Sequence, residues 1–358
     1  MNQVIKIKSK IFSPLYASIL MFLLMVGITL PSCKDDNAKP SPSYQQVNLV
    51  ASTNAYGAVR IDTNLVNAWG LAIGPTGAFW ISATDKDLTT VYDRSGTTLI
   101  LPIAVDGEPT GVVYNSTLDF VIPSTGGLVS KFIYVGEEGT VQSWNSGIAS
   151  IKVVDNSADH AVYKGVAMGV DGGANFLYIA NFSENEIEVL DKNFIYVSTK
   201  PFIDPLLPIG FAPFNIKNIG GKLYVTYAKQ SEDKYDDVPG AGNGYVSIFN
   251  TDGTFVKRFA SGGTLNSPWG IAQAPGDFGQ GSNAILVGNF GDGRINVFTK
   301  DGDYVGQLKD GDLPITIEGL WSLTFPANGV PAGDQNQLFF TAGPDNEDHG
   351  LFGYIQLR

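Results

Sequence analysis

Cysteine is all but missing from this chain: Cys33 is the only one among 358 residues. No intramolecular disulfide can form, and cysteine nucleophiles and cysteine-ligated zinc centres are excluded, so the fold must be held by its core. Histidine is nearly as scarce. His160 and His349 are the whole supply, too few for a three-His metal site. Positive charge is also short, with 23 Lys+Arg against 35 Asp+Glu. Residues 1–32 hold three of those lysines and no acid, which leaves 20 against 35 and a net charge near −15 for the remainder. Such a surface excludes nucleic acid as a partner, because that binding rests on neutralising phosphates. It repels anionic headgroups as well, and it also serves simply to keep a protein in solution. No Gly-x-Ser-x-Gly elbow is present, and the stretch from Gly240 to Gly244 lacks the lysine and the strand–turn–helix setting of a phosphate loop.

What the N-terminus does have is a targeting pattern. Lys6, Lys8 and Lys10 precede an apolar run from Ile11 to Leu30, and Leu30-Pro31-Ser32-Cys33 resembles the lipobox cut by bacterial lipoprotein signal peptidase. An uncleaved spanning helix is the alternative at this length. Lys34-Asp35-Asp36 is similar to the signal that sends some Gram-negative lipoproteins to the outer face of the outer membrane. These features predict a signal peptide over 1–32, lipidation of Cys33 and a Pro/Ser-rich tether over 33–45. They also predict a cell-envelope location in which the membrane link is the lipid alone, with the globular domain over 46–358.

That domain is built from a repeated unit: an apolar strand, a Gly-rich turn, a second apolar strand, an acidic or Asn-containing loop and an alternating strand. The first copy runs through Asn67-Ala-Trp-Gly-Leu-Ala, Phe79-Trp-Ile-Ser-Ala and Thr90-Val-Tyr-Asp, and the fifth through Pro268-Trp-Gly-Ile-Ala, Ala284-Ile-Leu-Val-Gly-Asn and Arg294-Ile-Asn-Val-Phe. Equivalent positions 69, 111, 165, 214, 269 and 321 are spaced by 42, 54, 49, 55 and 52 residues. Propeller blades repeat at about 40–50 residues, so the spacing predicts an all-β, six-bladed β-propeller. The first five copies have room for a fourth strand, for example near Leu99 or Phe255, whereas the sixth runs out after three. The unassigned strand at Val47–Ala51 is expected to complete that last blade and close the ring, leaving no bare edge.

The Pro-x-Gly-Ile-Ala, Leu-Tyr-Val and Ile-x-Val-Phe phrasing resembles NHL-repeat propellers. More closely, the chain resembles a family of exported, NHL-like bacterial proteins of unknown function. The stretches that carry this likeness include Gly210-Phe-Ala-Pro-Phe-Asn-Ile, Leu265-Asn-Ser-Pro-Trp-Gly-Ile-Ala, Leu286-Val-Gly-Asn-Phe-Gly-Asp-Gly-Arg and Thr341-Ala-Gly-Pro-Asp-Asn-Glu. The resemblance implies the propeller fold and brings no reaction with it.

In a propeller the loops between second and third strands share a face with the loops entering each first strand. Here that face collects Asp85, Asp87, Glu137, Glu138, Glu184, Glu186, Asp233, Asp236, Asp237, Asp292, Asp345, Glu347, Asp348 and His349. Trp69, Lys164, Phe214, Trp269, Trp321 and Glu318 come from the entering loops. The expectation is an acidic ring around an aromatic-lined mouth that takes a ligand. Carboxylate and amide oxygens suit Ca²⁺. Asn215, Asn289 and Glu318, with Asn181, are candidates pointing into the channel, and Asp233, Asp236, Asp237 and Asn243 form a loop cluster. The competing explanation is ordinary turn and strand-end chemistry. The three tryptophans at one repeat position serve either packing or stacking against a sugar.

No catalytic constellation emerges. The sequence therefore points to a monomeric, non-catalytic binding or scaffold propeller whose partner is a glycan or an envelope protein. The alternative is a calcium-dependent hydrolase resembling propeller lactonases, with the metal on Glu318, Asn215 and Asn289 activating water.

Overall fold

The computed structural model describes residues 43–358; the signal segment, Cys33 and most of the tether lie outside the described residues. Strands dominate, and the helical elements among the described residues are four 3-10 turns. The strands form six small antiparallel sheets, the blades of a propeller. Blade 1 holds Ala68–Ile73, Phe79–Ala83, Leu88–Tyr92 and Ile103–Ala104. Blade 2 holds Pro109–Tyr114, Phe132–Gly136, Thr140–Trp144 and Ile151–Asp155. Blade 3 holds Tyr163–Asp171, Ala174–Asn181 and Glu186–Asp191. Blade 4 holds Phe211–Ile219, Lys222–Lys229, Gly244–Phe249 and Phe255–Ser261. Blade 5 holds Pro268–Gln273, Ile285–Asn289, Ile295–Phe298 and Tyr304–Gln307. Blade 6 holds Leu320–Thr324, Leu338–Ala342 and Leu351–Leu357. Each innermost strand touches that of the next blade, and the sixth returns to the first.

The closure is as expected. Tyr44–Ala51 pairs antiparallel with Leu351–Leu357, from Tyr44 opposite Leu357 to Ala51 opposite Leu351. The strand starts before residue 46 because Tyr44 is fully buried, its hydroxyl donating to the Phe278 carbonyl (2.7 Å) and accepting from the Gly281 amide (3.1 Å). Arg60–Ile61 adds a short parallel strand outside it, which the repeat pattern does not foretell. Two outer edges also differ from expectation. In blade 1 the fourth strand is Ile103–Ala104, and Leu99 lies outside it, half-exposed. Blade 3 has no fourth strand, only a bridge between Leu190 and Tyr196. Pro201, Pro205 and Pro208 follow, and proline supplies no ladder donor.

Apolar side chains that alternate along the strands fill the spaces between blades. Phe79 of blade 1, for example, meets Phe339 and Phe352 of blade 6 at ring distances of 4.3 and 5.1 Å. Burial of each such side chain stabilises by about 1.5–3 kcal/mol. At the centre the backbones come too close for side chains. A Cβ on Gly70 would overlap the carbonyl oxygen of Thr110, and one on Gly111 would sit 2.8 Å from the amide of Val166, so glycine is required where adjacent inner strands meet.

Candidate functional site

All six innermost strands share one irregularity. Their pairing with the second strand shifts register between Ala68 and Leu71, Pro109 and Val112, Tyr163 and Gly165, Pro213 and Asn215, Pro268 and Gly270, and Leu320 and Leu323. Such bulges re-aim the residue they contain. The residues so placed are Trp69, Thr110, Lys164, Phe214, Trp269 and Trp321, one per blade. Trp69, Phe214, Trp269 and Trp321 form one buried cluster, and residues from four blades meet only on the axis.

The aromatics therefore do not line an open mouth. They close it. Trp69, Trp269 and Trp321 are 2, 4 and 1 % exposed and Phe214 is fully buried. Trp321 is stacked between Trp69 (3.6 Å) and Phe290 (4.0 Å), and Trp269 meets both tryptophans edge-on. The indole of Trp269 donates to the Lys164 carbonyl, and that of Trp321 to Asn67 Oδ1. Mutual packing across the axis, rather than stacking on a sugar, occupies these rings.

Lys164 lies over this floor, 2 % exposed. Its ammonium pairs with Glu137, stands 3.7 Å from Asp236, and faces the rings of Trp69, Tyr235 and Phe182 at 5.3, 5.0 and 5.9 Å. Burial works against its charge, but Glu137, then Asp236 and Asp237, outweigh it and hold the ammonium above the ordinary lysine range. Lys164 is thus a ligand the chain supplies to its own aromatic and acidic cage.

Carboxylates surround that cage. Glu347 accepts a hydrogen bond from Asn67 Nδ2 at 2.6 Å, and the same amide donates to Asp85 at 3.2 Å. Burial, with Glu137 nearby, pushes Glu347 up to about 7. Burial also raises Asp85 and Asp237. The hairpin around the Gln230–Asp237 bridge reaches from blade 4 across the mouth, where the Tyr235 hydroxyl donates to Glu108 at the entry to blade 2 (2.9 Å). Perturbed carboxyls gathered this way make this face a candidate site. It can hold a cation or carry a proton near neutral pH.

The other candidates take separate positions. Asn215 donates to the Trp269 carbonyl and accepts from the Ile216 amide. Asn289 donates to Thr264 and Asp292, and Glu318 is exposed, accepting from the Asp345 amide. These three keep different partners. Asn181 caps the entry to blade 3 through Val162 and bonds Glu188. On the hairpin, Asp233 accepts from Ser231 and the Tyr235 amide, Asp237 faces Ser267 and Lys164, and Asn243 donates to the Val238 carbonyl. Among the described residues no three His, Cys, Asp or Glu side chains gather as a metal site. His349 sits at the rim, its Nδ1 3.3 Å from Ser52 Oγ and its Nε2 3.7 Å from Asp345. Asn67, Glu108 and Tyr235 escaped the sequence reading. Asn67 carried a signal, since it precedes the inner-strand Ala-Trp-Gly, whereas Tyr235 reaches its place only through the hairpin's path.

No family model matches the chain. It is 38% identical over 330 residues to the uncharacterised protein R648 of Acanthamoeba polyphaga mimivirus, covering 87% of this chain and 80% of that protein. To the uncharacterised protein L690 of the same virus it is 35% identical over 333 residues, covering 87% and 85%. Among solved structures it resembles a Bacteroides thetaiotaomicron protein of unknown function at TM-score 0.56 and 10% identity, covering 89% of this chain and 77% of that one. A gluconolactonase from Xanthomonas campestris gives 0.53 and 14%, covering 89% and 98%. A virginiamycin B lyase from Staphylococcus aureus gives 0.52 and 13%, covering 88% and 99%. At these identities the structural likeness carries the propeller fold alone. The sequence likeness carries kinship, and the chain belongs to the same family as the mimivirus proteins R648 and L690.

Proposed function

We propose that the protein is a non-catalytic binding propeller whose acidic loop face docks a cationic partner. That partner is a basic protein surface or an amine-bearing glycan of the envelope to which the lipid on Cys33 would tether it. One observation carries this reading. The axis, where propellers ordinarily keep a ligand channel, is filled at this end by Trp69, Phe214, Trp269, Trp321 and the paired Lys164. What faces solvent above the floor is a broad rim of carboxylates, including Glu108, Asp236, Asp345 and Asp348. Such a rim attracts cations over a distance and loses its grip as salt screens it.

Titration calorimetry with a hexalysine peptide tests the reading, with Ca²⁺ as the inorganic comparison. The expected result is binding that weakens between about 50 and 150 mM salt and that falls in Glu108→Gln/Asp236→Asn. Absence of salt-dependent binding would overturn it. So would turnover of a lactone panel that needs Ca²⁺ and disappears in Asn215→Ala or Glu318→Ala, since that outcome belongs to the hydrolase alternative.

A further inference from the structure

The far end of the axis, away from the acidic loops, is chemically its opposite. Beneath the aromatic floor a narrow space is lined by Asn215, Lys217, Trp269 and Ser322. Below it opens a cavity of about 310 Å³ among the C-terminal halves of the inner strands. Leu71, Ile73, Val112, Met168, Phe325 and Val330 supply most of the side chains in its walls, with Thr324 and exposed backbone between them. Lys217 lines both spaces, and Tyr114 is the other ionisable residue in the walls. No carboxylate is present there.

Lys217 has no salt bridge, and its ammonium makes no hydrogen bond, among the described residues. Other lysines without a salt bridge, such as Lys86, Lys131, Lys222 and Lys229, are exposed to solvent, whereas Lys217 lies against the walls of the channel. Lys217 is half-buried on its strand, and an ammonium drawn from water toward apolar walls loses solvation that a counter-ion would replace. The chain supplies none here. Burial accordingly depresses this lysine's affinity for its proton. A ligand anion would restore the missing partner.

We propose that this end of the axial channel is a binding site for a small amphipathic monoanion, a medium-chain carboxylate, with Lys217 as its counter-ion and the apolar walls receiving its chain. The cavity volume lies at the lower end of the range of about 300–1,000 Å³ found for small-molecule sites. An unbranched chain of several methylenes suits it better than a ring system. The site is separate from the acidic loop face, and neither reading depends on the other.

Titration calorimetry of the protein with octanoate, octanol and octylammonium tests this. Octanoate is expected to bind one to one, octanol at least about tenfold more weakly and octylammonium not at all. Lys217→Met is expected to lose at least about tenfold in octanoate affinity while melting no lower than the parent, because it removes a charge that has no partner to strand. Lys217→Arg keeps the charge and the binding. Ala72→Leu, which narrows the cavity without touching the charge, weakens octanoate and octanol alike. Glu108→Gln/Asp236→Asn, on the other face, leaves octanoate binding unchanged. The proposal is overturned if octanoate fails to saturate the folded protein, if octanol binds as tightly, or if Lys217→Met binds octanoate like the parent.

Discussion

Replacing Glu347 by Gln is expected to stabilise the protein above neutrality and to leave it unchanged in mild acid. Glu347 is folded into a place where desolvation and Glu137 disfavour its charge, which lifts it from the ordinary value of 4.5 to about 7. Between those two values the folded chain binds a proton that the unfolded chain has released. Stability from this group is therefore fully present below about pH 4.5, declines as pH rises, and is gone once pH passes about 7. At 1.36 kcal/mol per pH unit the span is worth about 3 kcal/mol. Partial access of the carboxyl to water reduces that to about 2 kcal/mol. Gln keeps an oxygen for the Asn67 amide and carries no charge. Urea unfolding at pH 4 and pH 8 measures the effect: the variant should match the parent at pH 4 and exceed it by about 2 kcal/mol at pH 8. A loss of stability at pH 8, or the same difference at both pH values, would refute the reasoning. Asp237, raised by burial, is left in place, whereas Asp85 shares the Asn67 amide with Glu347 and repels it, so relief of that repulsion is part of the gain.

Three further outcomes follow from the axis and the closure. Trp321→Ala empties the middle of a stack that extends from Trp69 to Phe290 and should cost about 3–5 kcal/mol in chemical denaturation. Lys164→Met strands Glu137 in the interior and should cost about 3–5 kcal/mol, of which the double variant with Glu137→Gln recovers more than half; equal costs for single and double would contradict the pairing. Tyr44→Phe removes the hydroxyl from the Phe278 carbonyl and the Gly281 amide, which stay bonded to each other at 3.1 Å, so stability should fall by only about 0.5–1.5 kcal/mol, with the first strand loosened in hydrogen exchange.

The blade count, the inner-strand positions and the closure of the ring by the N-terminal strand were legible because they rest on repetition and two-residue alternation, which sequence displays directly. The axis was not. A bulge of one residue in each inner strand turns Trp69, Phe214, Trp269 and Trp321 away from the parity that plain alternation assigns. Side chains read as the lining of an open mouth are therefore its stopper. The acidity of the loop face was legible as composition. Its organisation was not, since Glu347, Asn67, Asp85 and Lys164 come from blades 6, 1 and 3 and meet only after the ring has closed. Outer edges were read least well, as in blade 3, where three prolines end what the spacing allowed to be a fourth strand.

Lys164 and Lys217 show how completely the surroundings decide what a side chain can do. Both project from inner strands of adjacent blades toward the same axis, one near the strand's start and the other near its end. Lys164 meets Glu137, Asp236 and three aromatic faces, so its charge is held and its valence for a partner is spent inside the fold. Lys217 meets methyl and methylene groups, so burial lowers its proton affinity and its charge is unspent. A lysine satisfied by its own chain is structural, whereas one that only an outside anion can satisfy is a specificity element. The two ends of one propeller axis should accordingly select ligands of opposite charge. Exchanging the settings by Lys217→Glu should abolish octanoate binding at the apolar end while leaving hexalysine binding at the acidic face intact.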